Sequence, residues 1–123
     1  DIRDVMDYLQ LTKYADTHPF SLSGGQKQRI QVALGILSNR KVIIFDEPTS
    51  GLDLISMRRV AKEIQELKKK ACVIVISHDY EFIRYISNRV VYLKDKTVKK
   101  DISLDAEHLS EFNQIFIEMR DES

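Results

Sequence analysis

The sequence predicts an α/β fold in which helices flank a mostly parallel sheet, and two observations indicate it. The apolar runs Val42–Phe45 and Cys72–Ile76 show no polar alternation, which is typical of parallel strands covered on both faces. Between them, apolar residues recur at helical spacing from about residue 54 to residue 70. A strand, a helix and a second strand form a βαβ unit, so we expect the two strands to pair in parallel.

Two helices are predicted before this unit. Residues 2–10 and residues 25–38 both place apolar side chains three and four residues apart. The second helix begins at a Ser-Gly-Gly turn, and Asn39 is predicted to end it. Pro19 is predicted to keep the approach to that turn extended.

After the βαβ unit, the sequence predicts a short helix, a hairpin and a last helix. Asp79 is placed to cap the short helix. Residues 90–93 and 97–100 have the composition of paired strands, although the turn between them lacks glycine. The last helix is predicted to start near Ser103, with Asp105 in its first turn.

The charge balance excludes a strong general attraction to polyanions. The 123 residues hold 19 Lys and Arg against 19 Asp and Glu, so the formal net charge is zero. We therefore expect no nucleic-acid partner, and any phosphate binding must be local. No apolar stretch is long enough to span a bilayer and no export signal is evident, so direct membrane insertion is not expected.

The single cysteine indicates a reducing compartment. Cys72 lies inside an apolar run and has no second cysteine to pair with, which excludes an intramolecular disulfide. We expect a buried, inert thiol in the cytosol.

The Ser23-Gly24-Gly25 turn is a candidate anion site. Backbone N–H groups at the start of a helix point outward and favour a phosphate oxygen. A plain N-cap followed by two turn glycines would have the same sequence. The two interpretations are compatible, because a capped helix N-terminus still offers its N–H groups.

Asp46 and Glu47 are candidate metal and water ligands, since they end the first buried strand. Such carboxylates can hold Mg²⁺ and orient a water molecule, although a pair by itself is more often structural. Pro48 sharpens the turn that follows, and His78 ends the neighbouring strand. A lone histidine at such a position is usually an ordinary loop residue. The functional interpretation of His78 therefore depends on the presence of Asp46 and Glu47.

Four motifs in order resemble the C-terminal half of the nucleotide-binding domain of an ATP-binding-cassette (ABC) ATPase. Leu22–Gln26 resembles the signature loop and Val42–Glu47 the Walker B strand. Ser50–Asp53 resembles the D-loop and Ser77–Asp79 the switch-histidine loop. The resemblance implies a P-loop NTPase-like fold without the Walker A strand, because no Gly-x-x-x-x-Gly-Lys-[Ser/Thr] loop occurs in the sequence.

The resemblance also implies a division of the chain. Residues 1–38 correspond to the end of the helical subdomain with the signature loop and helix, residues 39–101 to the Walker B, D-loop and switch-histidine core, and residues 102–123 to a C-terminal helix. Without the Walker A strand, the strands that match Cys72–Ile76 and Val90–Leu93 gain unpaired edges, which can associate with another chain.

The family's catalytic roles carry over to three residues. The resemblance implies that Glu47 is the general base for water, that His78 contacts the γ-phosphate of ATP and holds Glu47, and that Asp46 binds Mg²⁺ through water. Since the Walker A lysine is missing from these residues, we expect the chain alone to be inactive as an ATPase.

The remaining family roles concern a partner subunit. Ser23, Gly24 and Gly25 would bind the γ-phosphate of ATP held by the opposite subunit, while Gln26 and Arg29 would orient this loop. An exposed helix face would look the same at these last two positions. Asp53 would contact the partner near its Walker A loop, and the simpler alternative is an N-cap for the next helix.

The implied partners are a second nucleotide-binding domain, identical or different, and transmembrane transporter subunits at the cytoplasmic face of the membrane. Residues 18–21 and the short chain after His78 resemble ATPase subunits of energy-coupling-factor (ECF) importers, which serve vitamins, metal ions or other small solutes. Two alternatives stay open. One is an ATPase lobe of the chromosome-maintenance and repair class, and the other is a truncated, non-catalytic module that lends its Ser23 turn to an intact subunit.

Overall fold

A computed structural model describes residues 1–18 and 21–122. The predicted effect of Pro19 lies outside the described residues. The chain divides into two compact units, Asp1–Phe82 and Ile83–Ser123. The eight residues proposed for the site all belong to the first unit, so that unit determines the candidate chemistry.

The secondary structure follows the predicted order. The helices are α1 Ile2–Tyr8, α2 Gly24–Leu37, α3 Leu54–Leu67, α4 Tyr80–Ile86 and α5 Leu109–Asp121, with a 3-10 turn at Thr12–Tyr14. The strands are β1 Val42–Asp46, β2 Cys72–Ile76, β3 Arg89–Lys94 and β4 Thr97–Ser103.

Strands β1 and β2 pair in parallel, which confirms the predicted βαβ unit. Val42 lies opposite Cys72 at one end, and Asp46 lies opposite Ile76 at the other. Helix α3 connects the two strands and buries the side chains that its apolar periodicity predicted: Met57, Val60, Ala61, Ile64 and Leu67. The carboxyl ends of both strands therefore lie side by side.

The prediction that both strands are covered on both faces was wrong. Along β1 the side chains alternate, with Ile43 7% and Phe45 5% exposed but Ile44 62% exposed. Ile74, which pairs with Ile44, is 47% exposed on the same face. Cys72 is also exposed, so its thiol is not buried. The reason is that only one face of the pair is covered within the part of the chain that the structure describes.

Helix α2 covers the buried face through a close approach at Gly35. A Cβ placed on Gly35 would lie 2.6 Å from Cε1 of Phe45, well inside van der Waals contact. The missing side chain therefore lets the helix backbone rest on the Phe45 ring. Asn39 follows the helix with φ 53°, a left-handed conformation that confirms it as the stop.

In the second unit, β3 and β4 form the predicted antiparallel hairpin. The pairing runs from Arg89 opposite Ser103 to Lys94 opposite Thr97. The two turn residues, Asp95 and Lys96, have φ 51° and 61°. Two consecutive positive values are the mark of a type I′ turn, which fits the twist of paired strands even without glycine here.

The predicted start of the last helix was wrong. Helix α5 begins at Leu109 rather than near Ser103, because β4 extends through Ser103. Asp105 therefore lies before the helix, where its carboxylate accepts a hydrogen bond from the backbone N–H of His108 at 3.0 Å. An acidic residue close to a helix start fits the pattern of a first turn, whereas Asp105 fixes the turn that leads into the helix.

Candidate functional site

The structure brings Glu47 and His78 together at the carboxyl ends of β1 and β2. Oε1 of Glu47 lies 2.9 Å from Nδ1 of His78. This hydrogen bond, and secondarily the negative charge of Glu47, raises the pKa of His78 above its ordinary value. The His78 side chain is 75% exposed and that of Glu47 34% exposed, so both remain open to a ligand.

The backbone of Glu47 is unusual. Its φ of 49° lies in the left-handed region, which costs a residue other than glycine about 1–2 kcal/mol. Its N–H donates to the carbonyl of Ile76 at 2.7 Å. Its carbonyl accepts from Nε2 of Gln28 at 2.9 Å and from the N–H of Ser50 at 3.2 Å. Hydrogen bonds on both sides of the residue therefore hold a conformation that the chain by itself disfavours.

Asp46 ends β1 with an exposed side chain, as its predicted role requires. Mg²⁺ in phosphate-processing sites commonly takes one or two carboxylates and completes its shell with water and substrate phosphate. A single exposed carboxylate fits that mode. Among residues 1–18 and 21–122, no group of three or more His, Cys, Asp or Glu side chains is arranged to hold a metal, so these residues form no closed metal cage.

The Ser23 turn forms a reciprocal cap at the start of α2. Oγ of Ser23 accepts from the N–H of Gln26 at 3.2 Å, and Oε1 of Gln26 accepts from the N–H of Ser23 at 2.8 Å. Nε2 of Gln26 donates to the hydroxyl of Tyr14 at 2.5 Å. The Gln26 amide thus orients the turn, and the helix start still presents the N–H groups of Gly24 and Gly25.

Asp53 caps α3, as the simpler alternative proposed. Its Oδ1 accepts from the N–H of Ser56 at 2.7 Å, and this bond lowers the pKa of Asp53 below its ordinary value. The segment that ends in Asp53 adjoins the Ser23 turn, since a Cβ on Gly25 would lie 3.3 Å from Cδ2 of Leu52. The loop Leu22–Gln26 and the segment Ser50–Asp53 therefore lie next to each other.

Arg29 makes a contact that was not predicted. Its Nη1 donates to the carbonyl of Leu9 at 3.1 Å, so it ties α2 to the residue after α1. Arg29 is on the helix, more than one turn from the cap, and its positive charge also contributes to the lowered pKa of Asp53.

Two contacts at the site were not predicted. Gln28 binds the Glu47 carbonyl, and Oγ1 of the buried Thr49 donates to Oδ2 of Asp79 at 3.4 Å. Oδ1 of Asp79 accepts from the N–H of Phe82 at 3.2 Å, which confirms the predicted cap. No sequence signal marks these two contacts, because their partners lie 19 and 30 positions apart in the chain and no local pattern links them.

Known proteins resemble this chain in sequence. Residues 1–50 match the ABC transporter family model. The chain is homologous to ABC transporter ATP-binding proteins. One relative is a Treponema denticola protein named as an ABC transporter ATP-binding protein. It is 47% identical over 102 residues, which are 82% of this chain and 21% of that protein.

A second relative is the methionine import ATP-binding protein MetN of Streptococcus mutans. It is 31% identical over 105 residues, which are 84% of this chain and 30% of MetN. The chain thus spans only 21% of the length of the first two curated relatives, both from Treponema denticola. The family resemblance covers one part of larger proteins.

Solved structures confirm the fold class. A dimeric ATP-binding cassette in a post-hydrolysis state, bound to ADP and Pi, matches with a TM-score of 0.76 and 29% identity over 85% of this chain and 46% of that chain. The fold is that of ABC ATPase cassettes, which have the P-loop NTPase architecture. Within the described part of the chain, no helix has both the length and the apolar character that crossing a bilayer requires.

Proposed function

We propose that this chain is the C-terminal half of an ABC ATPase domain that drives a membrane transporter. The observation that carries the proposal is the contact of 2.9 Å between Glu47 and His78 at the ends of two parallel strands, directly after Asp46. Homology to ABC transporter ATP-binding proteins supports ATP as the nucleotide.

Glu47 acts as the general base in this proposal. Phosphoryl transfer requires a water molecule in line with the γ-phosphate, and the protein mainly positions it and stabilises charge. One carboxylate oxygen of Glu47 contacts His78, so Oε2 is the oxygen that accepts the proton of the attacking water. His78, with its raised pKa, donates from its second ring nitrogen to a γ-phosphate oxygen and keeps Glu47 in place.

Asp46 holds Mg²⁺ through water in this proposal. Its single exposed carboxylate suits a hydrated ion that also binds substrate phosphate. When bound, Mg²⁺ neutralises negative charge on the phosphates of ATP.

The Ser23 turn serves the nucleotide of a partner domain. The N–H groups of Gly24 and Gly25 lie at the positive end of α2, a helix of 14 residues, and suit a γ-phosphate. The matching cassette structure is a dimer, which supports a second ATP-binding domain as the partner, identical or different. Asp53 lies on the adjoining segment and would face the same partner.

We infer that the transporter imports a small solute. Support comes from the name of MetN, a methionine import ATP-binding protein. Transmembrane subunits would then be the second kind of partner, and the chain would work at the cytoplasmic face of the membrane. The narrower ECF assignment stays a prediction that rests on residues 18–21, the short chain after His78 and the single terminal helix.

We also infer that further residues of a cassette cover the exposed face of β1 and β2. This face carries Ile44 and Ile74, and the chain spans 46% of the solved cassette. Apolar surface of this kind is stabilised by burial. The 123 residues alone should therefore associate through this face or its strand edges. They should also be inactive, because they lack the Walker A lysine.

The test uses the longest natural polypeptide that contains this sequence, hereafter the full-length protein, beside residues 1–123 alone. Mg²⁺-dependent ATP hydrolysis is measured for both, and solution mass for the shorter chain. We expect hydrolysis from the full-length protein only. Failure of the full-length protein to hydrolyse ATP, with its transporter subunits present, would refute the ATPase proposal. A monomeric mass at high concentration would refute the association, and activity only on mixing with an intact subunit would favour the binding module.

A further inference from the structure

One side chain of α2 anchors the peptide of Glu47. Gln28 lies in the second turn of the helix, five residues after the Ser23 cap, and its Nε2 donates to the Glu47 carbonyl at 2.9 Å. The start of α2 and the end of β1 are therefore joined by a hydrogen bond between residues 19 positions apart. This bond comes from a separate element, so it does not move with the loop that follows Glu47.

Glu47 requires such an anchor because its backbone is strained. At φ 49° the residue stays in place only if its surroundings hold it. The bond that its N–H donates to the Ile76 carbonyl fixes the N–H side of Glu47. On the carbonyl side, the bond from Ser50 is longer, at 3.2 Å, and comes from the same loop, three residues later. The hydrogen bond from Gln28 thus ties the Glu47 carbonyl to helix α2.

The second polar atom of Gln28 shows what the residue contributes. Its Oε1 is buried and has no hydrogen-bond partner within residues 1–18 and 21–122. A buried amide oxygen without a partner costs about 1–3 kcal/mol, which a methionine of similar length would avoid. Packing alone therefore does not account for glutamine here. The feature that distinguishes it from methionine is the N–H donor toward Glu47.

We propose that Gln28 is a positioning residue that holds the Glu47 peptide in its left-handed conformation, so that the carboxylate stays on His78 and faces the attacking water. The proposal rests on the proposed role of Glu47 as general base. Gln28 does not touch the reacting atoms. Its effect is on the orientation of the base, and small displacements of a catalytic group lower turnover more than they lower binding.

The kinetic test compares Gln28→Met with Gln31→Met in the full-length protein. Gln31 lies on the same helix, three residues further on, and is exposed, so it controls for the loss of a glutamine from α2. We expect Gln28→Met to lower kcat about tenfold to a hundredfold while KM for ATP changes little, because a misoriented base impairs the chemical step. Gln31→Met should match the wild type.

Amide hydrogen exchange provides a readout that does not need hydrolysis. In Gln28→Met, the N–H groups of Glu47 and Ser50 should exchange about tenfold faster, while Val32 and Ile36 within α2 keep their protection. If the wild type hydrolyses no ATP, the proposed function fails, and exchange still decides whether Gln28 holds Glu47.

Three results would overturn the inference: a kcat of Gln28→Met within twofold of the wild type, an equal loss in Gln31→Met, or unchanged exchange at Glu47. Gln28→Glu is the second variant if Gln28→Met does not fold, since glutamate has nearly the same shape and its carboxylate lacks the N–H donor. For Gln28→Glu, the expected results and the results that would overturn the inference are the same as for Gln28→Met.

Discussion

The turn after β1 and the turn between β3 and β4 both place residues other than glycine in the left-handed conformation, and they do so for different reasons. Glu47 follows β1 with φ 49°, and Asp95 and Lys96 join β3 to β4 with φ 51° and 61°. In the hairpin, the geometry of a type I′ turn matches the twist of the strands, and the side chains are exposed. The left-handed conformation there turns the chain from β3 into β4.

At Glu47 the same conformation directs a side chain. Hydrogen bonds from Gln28 and to Ile76 hold the peptide, and the carboxylate meets His78. Local strain that is held by bonds from other elements is typical of functional sites. The difference teaches that a positive φ by itself does not indicate a functional site, whereas a positive φ held by hydrogen bonds with two other elements marks a candidate site.

The largest expected effect separates the two turns by activity. Glu47→Gln in the full-length protein should leave ATP binding intact and slow hydrolysis by a factor of about 10² or more, because the amide cannot accept the proton of water. Lys96→Gln, in the hairpin turn, is the control and should keep full turnover. Both are measured as steady-state ATPase rates with a separate nucleotide-binding assay. Full turnover by Glu47→Gln would remove Glu47 from the role of base.

Glycine substitutions test whether the two turns carry the same strain. At both positions 47 and 96, glycine should be more stable than alanine by about 1 kcal/mol, since glycine adopts positive φ without the Cβ clash. Comparing Glu47→Gly with Glu47→Ala, and Lys96→Gly with Lys96→Ala, removes the charge from each comparison. Urea unfolding measures the stability of each variant. Amide hydrogen exchange in β1 and in β3 shows the effect separately for the unit that contains each turn. An alanine variant as stable as its glycine counterpart would show that the turn is not strained.

The titration of His78 tests the contact at the strand ends. Its pKa is raised by Glu47, so Glu47→Gln should return the pKa toward the ordinary value for histidine. NMR titration of the imidazole measures this, with His108 in the second unit as an internal control, because its own raised pKa comes from Asp105. A His78 pKa that does not respond to Glu47→Gln would mean that the contact does not persist in solution.

The contact also has a predicted dependence on pH. Because the pKa of His78 is higher folded than unfolded, its contribution to stability is complete below the ordinary histidine pKa and is lost as pH rises through the raised pKa. The contribution is small, since most of the His78 side chain is exposed to solvent.

The smallest expected effect is in the hairpin and has the opposite sign with pH. Arg89 binds Asp101 through Nε at 2.8 Å and Nη2 at 2.6 Å, and this bond lowers the pKa of Asp101. Its contribution is present above the ordinary aspartate pKa and is lost as pH falls through the lowered pKa. Asp101→Asn should therefore destabilise β3 and β4 slightly at neutral pH and not at low pH, by urea unfolding. Equal effects at both pH values, or no weakening by salt, would contradict an ion pair.

Several elements could be predicted because their signals are local. The apolar spacing of α3 and the two flanking apolar runs predicted the βαβ unit, and Ser23, Asn39 and Asp79 were recognised as helix ends. Each of these signals lies within a few residues of the feature it specifies. The start of α5 was missed for the same reason, since Asp105 satisfies the local pattern of a first turn as well as that of the turn before it.

Burial was predicted less well because it depends on what covers a strand. A run without polar alternation indicates apolar neighbours on both faces. Ile44 and Cys72 are nevertheless exposed, since one face of the β1 and β2 pair is left uncovered by the described residues. The sequence of a strand records the environment to which it is suited, and the residues that supply that environment can lie elsewhere.

By itself, the sequence determined the order of helices and strands, the four motifs and the identity of Glu47 and His78 as candidates, since periodicity, caps and motif spacing are properties of neighbouring residues. Only the tertiary structure decided that these two side chains lie 2.9 Å apart, that Glu47 has a left-handed backbone, and that Gln28 donates to the Glu47 carbonyl. Those features require the packing of α2 on β1 and the pairing of β1 with β2, which join residues far apart in the chain.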